Sequence, residues 1–147
     1  MDGGIDAHGP EKPARDGVEK GFGQFTVFGA GESVFAIANK PWRANGDGSR
    51  PTVECTFRAI GKVTTALRAM SPGQTIGFRG PYGNHFPLDD WRGKHLAFIG
   101  GGIGMAALRS AMLEAINRKE EFGDVLILNG ARSVGDMVYK SEMPSWQ

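Results

Sequence analysis

Apolar and polar positions follow one pattern up to about residue 90 and another after it. In the first part, short runs rich in aromatic and β-branched residues alternate with clusters of turn formers. These runs predict strands at 22–28, 33–38, 53–59 and 75–79. A helical period interrupts them, since apolar residues recur at i, i+3, i+4 and i+7 and predict a short helix from Gly61, with an apolar stripe of Val63, Ala66, Leu67 and Met70.

The second part has the pattern of an α/β unit. The runs 95–99 and 124–129 are continuously apolar, which predicts strands buried on both faces of a parallel sheet. Between them, the glycine cluster Gly100–Gly104 opens a helix to about Arg118, whose predicted buried stripe is Leu108, Met112, Ala115 and Ile116. Strand, helix and strand form a βαβ unit with a right-handed crossover. A last helix is expected near Gly135.

Three segments follow from these patterns. Residues 1–20 are polar, rich in Gly and Pro and without a hydrophobic period, so we expect a disordered tail. Residues 21–90 form a strand-rich half, and residues 91–147 form an α/β half. The predicted fold class is therefore β plus α/β, an antiparallel partial barrel followed by the first βαβ unit of a Rossmann-like domain.

Composition narrows the possible functions. The chain has 147 residues, 40% of them hydrophobic, and a net charge of +1, which argues against nucleic acid as a partner. Its single cysteine, Cys55, excludes an internal disulfide and a four-cysteine metal site, and its three histidines are scattered. No apolar run approaches the length of about 18 residues that spans a bilayer, so we expect no membrane insertion and a cytoplasmic location.

The first candidate site is the pattern Gly102-x-Gly104-x-x-Ala107, which follows a predicted strand and opens a predicted helix. Dinucleotide-binding turns need glycine because the backbone comes close to a pyrophosphate, whose charge the helix N-terminus then meets. The same pattern also occurs in tight strand–helix turns that bind nothing, and this alternative stays open.

The second candidate is the start of the first helix. Gly61, Thr64 and Thr65 could bind an anion at the helix N-terminus, but glycine and threonine often serve only as helix caps. Capping is the favoured interpretation from these residues alone.

Three arginines are further candidates. Arg132 and Ser133 follow the second α/β strand, where dinucleotide folds read the adenosine ribose, and no acid is expected there. Arg132 could equally be a solvated surface residue. Arg58 and Arg79 could face a phosphate or solvent. Cys55 shares a strand face with Val53 and Phe57 and is predicted to be a buried, unreactive thiol.

Five motifs, taken in order, resemble those of the ferredoxin–NADP reductase superfamily. They are Phe22-Gly-Gln-Phe25, similar to "PGQF"; residues 57–67, similar to the strand and helix that hold the FAD pyrophosphate; Pro72-Gly73 and Gly80–Phe86, similar to "PGD" and "GPxGxxF"; Gly101–Ser110, similar to "GGIGLAPLRS"; and Gly130-Ala-Arg132, similar to "YGAR". The branch that the chain most resembles contains the FAD/NAD-binding subunits of multi-subunit hydrogenases and anaerobic sulfite reductases. Electron-transfer subunits of dihydroorotate dehydrogenases are similar too.

The resemblance implies a flavoprotein that takes hydride from NADH or NADPH onto FAD and passes single electrons to an iron–sulfur partner. The strand-rich half is then a partial FAD-binding barrel and the α/β half a partial NAD(P)-binding domain. The implied FAD residues are Phe35, Arg58, Gly61, Val63, Thr64 and Thr65. The implied dinucleotide residues are Gly101, Gly102, Gly104 and Arg132. No side chain is implied as a catalytic group or metal ligand, and a [2Fe–2S] centre is expected only in a further C-terminal part or in a partner subunit of a redox complex.

The sequence also departs from the family. Ala36 stands where the flavin strand usually carries a hydroxyl, so Phe35 can stack on a flavin ring without a neighbouring hydrogen bond. The family's strands before "PGQF" have no counterpart here, and we expect the chain to be truncated at both ends. These departures favour an alternative, a non-catalytic accessory or assembly subunit that keeps a degenerate reductase fold. They also predict that the chain by itself is unstable and a poor enzyme.

Overall fold

Aromatic and β-branched residues place a three-stranded antiparallel sheet at the start of the described chain. The computed structural model describes residues 22–40 and 52–146. Its first sheet contains β1 (Phe22–Val27), β2 (Gly31–Ala36) and β3 (Gly77–Tyr82), with β1 in the centre. Phe25 and Val27 point into the core because alternate residues of a strand face opposite sides. The predicted strand 22–28 is present. The strand predicted over 75–79 begins two residues later, at Gly77, and the second strand begins at Gly31, two residues earlier than predicted.

A cluster of phenylalanine rings fills the inner side of this sheet. Phe25 contacts Phe35 and Phe78 edge-on, at centroid distances of 5.6 and 5.2 Å. Phe35 also contacts Phe57 at 5.8 Å. A side chain at Gly23 would stand 2.3 Å from the Phe78 ring, so this glycine leaves the room in which the ring packs.

The predicted first helix is present as α1 (Lys62–Ala69). Its predicted apolar stripe lies half-buried against β1 and β2. Val63 contacts the position that a Cβ of Gly31 would occupy, at 3.7 Å. The stripe therefore fixes the start of this helix beside the β1–β2 turn.

The α/β half contains two parallel strands and one long helix. β4 (Leu96–Gly101) and β5 (Val125–Gly130) pair in register from Leu96–Val125 to Gly101–Gly130. The helix between them, α2 (Met105–Asn117), covers one face of the pair, and Met105 and Met112 are fully buried beneath it. The fold class predicted from the sequence is confirmed in both halves. No helix of the described residues is long and apolar enough to cross a membrane.

The two parallel strands are buried on one face only. Leu96 and Phe98 point toward α2, whereas Ile99, Leu126 and Leu128 remain 69%, 52% and 47% exposed. The prediction of burial on both faces is therefore wrong for the described chain, because one crossover helix covers one face of a sheet. Three large apolar side chains thus lie next to one another on an open sheet surface.

The predicted strand over 53–59 is not formed. The segment is extended, but its only bridge to a neighbour in the described chain pairs Cys55 with Ile37. One side chain and one isolated backbone bond hold it instead: the Asn39 Oδ1 accepts a hydrogen bond from the Glu54 N–H at 2.9 Å, and the Glu54 carbonyl accepts one from the Ala38 N–H. Alternation of apolar residues produced the prediction, although alternation alone does not supply a ladder of backbone partners.

Two further differences concern loops and the last helix. β3 continues through Pro81 to Tyr82, into the stretch predicted as a loop. In place of a helix near Gly135 there are two short 3₁₀ turns, Val134–Asp136 and Met143–Trp146. Between them Tyr139 has a φ of 57°, a left-handed conformation that interrupts a helix. The predicted disordered tail, residues 1–20, and the predicted loop 41–51 lie outside the described residues.

Paired arginines and carboxylates join the turn Leu88–Trp91 to the end of α2. Arg118, at the end of α2, forks onto Glu121 at 2.7 and 3.0 Å and also donates to Asp89 at 2.6 Å. Arg92 donates to the same two carboxylates, at 2.7 Å to Glu121 and 2.9 Å to Asp89. The 3₁₀ turn Leu88–Trp91 is thus tied to the end of α2. Hydrogen bonds from Arg118 and then Arg92 lower the pKa of Glu121 to about 2.

This low pKa predicts a pH-dependent contribution to stability. The Glu121 carboxylate favours folding above the ordinary glutamate pKa of about 4.3, and the contribution is lost as the pH falls toward about 2. Glu121→Gln should therefore lower the urea midpoint at pH 7. The difference in urea midpoint between this variant and the parent protein should shrink as the pH falls from about 4.5 to 2. Glu120→Gln, at the exposed neighbouring position, is the matched control and should have little effect. A difference in urea midpoint for Glu121→Gln that stays constant across this pH range would contradict the low pKa assigned to Glu121.

Candidate functional site

Glycine shapes the turn that joins β4 to α2. Gly102 has a φ of +51°, in the left-handed region, and the turn Gly102–Gly104 leads directly into the helix. An added Cβ at Gly101 or Gly104 would meet no atom within 4 Å, so both positions border open space. Gly100 differs, because a Cβ there would stand 3.1 Å from the Met105 Cε. Gly100 therefore serves helix–strand packing, and the following glycines leave backbone exposed at the helix N-terminus.

A cleft of about 340 Å³ opens beside this turn. Its walls come from both halves of the chain, and its lining residues are Arg58, Gly101, Gly102, Ile103, Gly130, Ala131, Arg132 and Asp136. Four residues that the sequence singled out are brought together here: two of the turn glycines and two of the arginines. The cleft is positively lined and contains one carboxylate.

Arg58 reaches this cleft from the strand-rich half. Its Nη2 lies 3.8 Å from Oδ1 and 3.4 Å from the main-chain oxygen of Asp136. It also stands 3.9 Å from the position that a Cβ of Gly102 would occupy. The sequence left open whether Arg58 faces a phosphate or solvent, and the structure places its guanidinium beside the glycine turn.

Arg79, the other arginine of the strand-rich half, lies apart from the cleft. It donates to Gln24 Oε1 at 3.3 Å and lies 3.9 Å from the Glu32 carboxylate on the exposed side of the sheet.

Asp136 corrects the expectation that no acid follows the second strand. Its Oδ2 lies 3.7 Å from Arg132 Nε and accepts a hydrogen bond from the Ser133 hydroxyl at 3.1 Å. Its own N–H donates to the Ser133 side chain, which caps the short turn. The carboxylate is thus held between Arg132 and Arg58. The Ser133-x-x-Asp136 spacing is a capping pattern visible in the sequence, and it could have revealed this residue.

At the start of α1, the hydroxyl of Thr64 acts as a cap. It accepts from the Gly61 N–H at 2.9 Å and donates to the Gly61 carbonyl at 3.0 Å. Thr65 and Gly61 are exposed, whereas Val63 is half-buried. The hydroxyl of Thr64 is therefore engaged within the protein, and the open features at this helix start are its backbone and the Thr65 side chain.

The predicted flavin-facing residue Phe35 belongs to the phenylalanine cluster. It is partly exposed while its ring contacts Phe25 and Phe57.

Cys55 is partly buried, and this burial raises the pKa of its thiol, in keeping with an unreactive side chain. Within the described residues, no group of three or more potential ligands could hold a metal ion.

The sequence analysis assigned no role to Arg109 on α2, although this residue joins the two halves. Its side chain is 13% exposed. Its Nη1 donates to the Ala38 carbonyl at 2.7 Å and to Glu54 at 3.1 Å, and its Nε donates to Glu142 at 2.9 Å. The guanidinium also lies over the Tyr139 ring, 4.9 Å from its centre. These partners are 30 or more residues away along the chain, so no local pattern could have pointed to them.

Burial and ion pairing shift the pKa of the Arg109 guanidinium in opposite directions. Burial alone lowers the pKa of Arg109, but the hydrogen bond and charge of Glu142, with the charge of Glu54, raise the pKa above the ordinary arginine value. Arg109 is therefore charged at neutral pH. Burial raises the pKa of Tyr139, whose hydroxyl hydrogen-bonds Thr56 of the first half.

Comparison with known proteins gives one match to the α/β half and others that extend over more of the chain. Residues 98–147 match the family of oxidoreductase NAD-binding domains. Over 122 residues the chain is 37% identical to the sulfhydrogenase 1 subunit gamma of Pyrococcus furiosus, a match that covers 83% of this chain and 40% of that subunit. Over 72 residues it is 38% identical to a probable dihydroorotate dehydrogenase B (NAD(+)) electron transfer subunit of Methanothermobacter thermautotrophicus, covering 49% of this chain and 26% of that protein.

A solved structure shows the same arrangement of the two halves. The cytochrome P450 reductase of Amycolatopsis superimposes with a TM-score of 0.66 and 23% identity, over 86% of this chain and 38% of that one. The chain thus spans about 40% of the length of the curated relative and of the solved structure that it matches over most of its own length. The order of the motifs and these matches together support the resemblance to the ferredoxin–NADP reductase superfamily, and the chain is similar to the gamma subunits of sulfhydrogenases.

Proposed function

We propose that this chain is the cofactor-binding part of an electron-transfer oxidoreductase subunit, which passes electrons from NAD(P)H through FAD to a redox partner. The observation that carries the proposal is the cleft beside Gly101 and Gly102, where a glycine turn, a helix N-terminus and two arginines meet. The oxidoreductase NAD-binding family match over residues 98–147 supports the same assignment.

The residues of the cleft fit a dinucleotide. Open space at the Cβ positions of Gly101 and Gly104 lets a pyrophosphate approach the backbone, and the N-terminus of α2 attracts its negative charge. Arg58 and Arg132 add two cations to the lining, one from each half of the chain. In this proposal Gly101, Gly102, Gly104 and Arg132 hold the dinucleotide, and Arg58 serves the same ligand, in place of the FAD role expected from its position in the strand-rich half.

The strand-rich half is proposed to bind FAD. Gly61, Val63, Thr64 and Thr65 form the start of α1, where exposed backbone N–H groups can meet a pyrophosphate. Phe35 is proposed to contact the flavin ring with its partly exposed edge. Bound FAD would supply hydride acceptance and single-electron release, and the residues of the chain would position both cofactors.

The final acceptor is proposed to lie outside the described residues. Since the chain has one cysteine, an iron–sulfur centre would have to be held by other residues or by another subunit. The similarity to a sulfhydrogenase subunit gamma supports work within a multi-subunit redox complex.

A second candidate function is a non-catalytic accessory or assembly subunit. Two observations favour it: Ala36 offers no hydroxyl to a flavin, and the Thr64 hydroxyl is already bonded to Gly61. Visible absorbance of the purified full natural chain separates the two candidates. A yellow protein with flavin bands supports the electron-transfer function, and a colourless protein that still binds its neighbouring subunit supports the accessory role.

The dinucleotide proposal predicts a specific effect at Gly104. A valine there is compatible with the fold, because the position has a helical φ of −63° and open space, but its side chain would fill the path of a pyrophosphate. Gly104→Val should weaken NAD(P)H binding at least tenfold, or by about 1.4 kcal/mol. Calorimetry measures the affinity, and thermal unfolding checks the fold. Gly100→Val is the contrasting control, since its clash with Met105 should destabilise the protein directly. Unchanged affinity in a folded Gly104→Val protein would remove this turn from the site.

Asp136 and Arg132 are predicted to set the preference between the two nucleotides. A carboxylate suits a ribose hydroxyl and repels a 2′-phosphate, and it already neutralises part of the charge of both arginines. Asp136→Asn should therefore raise the affinity for NADPH relative to NADH. Arg132→Ala should weaken NADPH about tenfold and NADH less, because a charge-assisted contact to the 2′-phosphate is lost. Titration of both nucleotides checks the two variants. Equal changes for NADH and NADPH in both would show that neither residue reads the 2′-position.

A further inference from the structure

We propose that Arg109 is a positioning residue that fixes the flavin-side half against the nucleotide turn, so that transfer between the two cofactors depends on it. This inference rests on the proposed function for its kinetic consequence but on the structure alone for its mechanical part. Arg109 does not line the cleft, and its side chain is almost buried. Its role is to hold two elements that contact the cofactors.

The connection from Arg109 along α2 to the glycine turn is rigid. Arg109 lies five residues after Gly104 on α2, about 7 Å along the helix axis. Met105, at the start of that helix, is completely buried, and its N–H closes the glycine turn by bonding to the Gly102 and Ile103 carbonyls. A displacement of Arg109 would therefore move the turn with it.

The other side of the connection reaches the elements proposed to hold flavin. The Ala38 carbonyl, bonded to Arg109 at 2.7 Å, lies two residues after the end of β2, the strand that carries Phe35. Glu54, at 3.1 Å, begins the extended segment that leads to Arg58. That segment lacks a ladder of strand pairing along most of its length, so its position depends strongly on such side-chain contacts.

The C-terminal segment completes the arrangement. Glu142 accepts from Arg109 Nε, and Tyr139 lies beneath the guanidinium while its hydroxyl contacts Thr56. A planar guanidinium can bond three acceptors and stack on a ring at once, whereas a lysine ammonium cannot. The site therefore requires arginine specifically, and a lysine should replace its charge without replacing its geometry.

Arg118 offers a matched control. Its side chain is 9% exposed and hydrogen-bonds two carboxylates, as that of Arg109 does. Its partners Glu114 and Glu121 belong to the α/β half, and Asp89 lies in the turn Leu88–Trp91, whose Leu88 packs in the core of that half. Loss of Arg118 should reduce stability without releasing the two halves from each other. Any effect found for Arg109 and not for Arg118 then reports on the relative position of the halves.

The mechanical test measures the distance between the halves. Spin labels are placed on the exposed faces of α1 and α2 through Arg68→Cys and Asn117→Cys, in a Cys55→Ser background of the full natural chain. We expect one narrow interspin distribution in this parent, a clearly broader or shifted one after Arg109→Ala, and no broadening after Arg118→Ala. Arg109→Lys should give an intermediate result, and it replaces Arg109→Ala if that variant does not fold. A narrow, unshifted distribution in a folded Arg109 variant would overturn the proposal, as would equal broadening in the Arg118 variant.

The kinetic test uses the same variants with FAD bound. At saturating NADH, Arg109→Ala should slow flavin reduction at least tenfold while changing the dissociation constant for NADH less than threefold, and Arg118→Ala should change neither as much. If the parent protein binds neither FAD nor NADH, the proposed function fails while the distance measurement still decides the role of Arg109. Normal reduction rates in a folded Arg109→Ala protein would refute the kinetic part.

Discussion

The buried guanidinium of Arg109 is the interaction on which the arrangement of the two halves depends. Each half has its own apolar core, the phenylalanine cluster in one and the residues beneath α2 in the other. Apolar burial stabilises each core but specifies poorly how two small units face one another, because it has no direction. Hydrogen bonds from one cation to Ala38, Glu54 and Glu142 are directional, and the low exposure of Arg109 makes an unpaired alternative costly.

This geometry explains why the candidate dinucleotide site is shared between the halves. The cleft needs Arg58 from one half and the glycine turn from the other, so it exists only while the halves keep their relative position. One face of the sheet formed by β4 and β5 is left uncovered. Ile99, Leu126 and Leu128 are exposed on a sheet of two strands, in a chain that spans about 40% of the sulfhydrogenase subunit to which it is similar.

Patterns of neighbouring residues in the sequence predicted those elements whose structure depends mainly on residues close by in the chain. The helical stripe of Val63 and Met70, the apolar strands and the glycine turn were all found because each is fixed by neighbours within a few residues. The segment 53–59 was misassigned because strand formation needs a partner that alternation does not reveal. Asp136 was missed although a capping pattern marked it. Arg109 stands inside the motif Gly101–Ser110, but its role lay beyond local inference, since its partners are distant in sequence and are brought to it only by the folded chain.

In the proposed function, one chain holds a flavin and a nicotinamide dinucleotide in working contact across its two halves. Anaerobic addition of NADH or NADPH to the FAD-loaded full natural chain measures this contact. The flavin absorbance should bleach with about one equivalent of one of the two nucleotides, because hydride transfer reduces FAD by two electrons. A chain that binds FAD and nucleotide but keeps its flavin oxidised would show that the two cofactors do not meet across the halves.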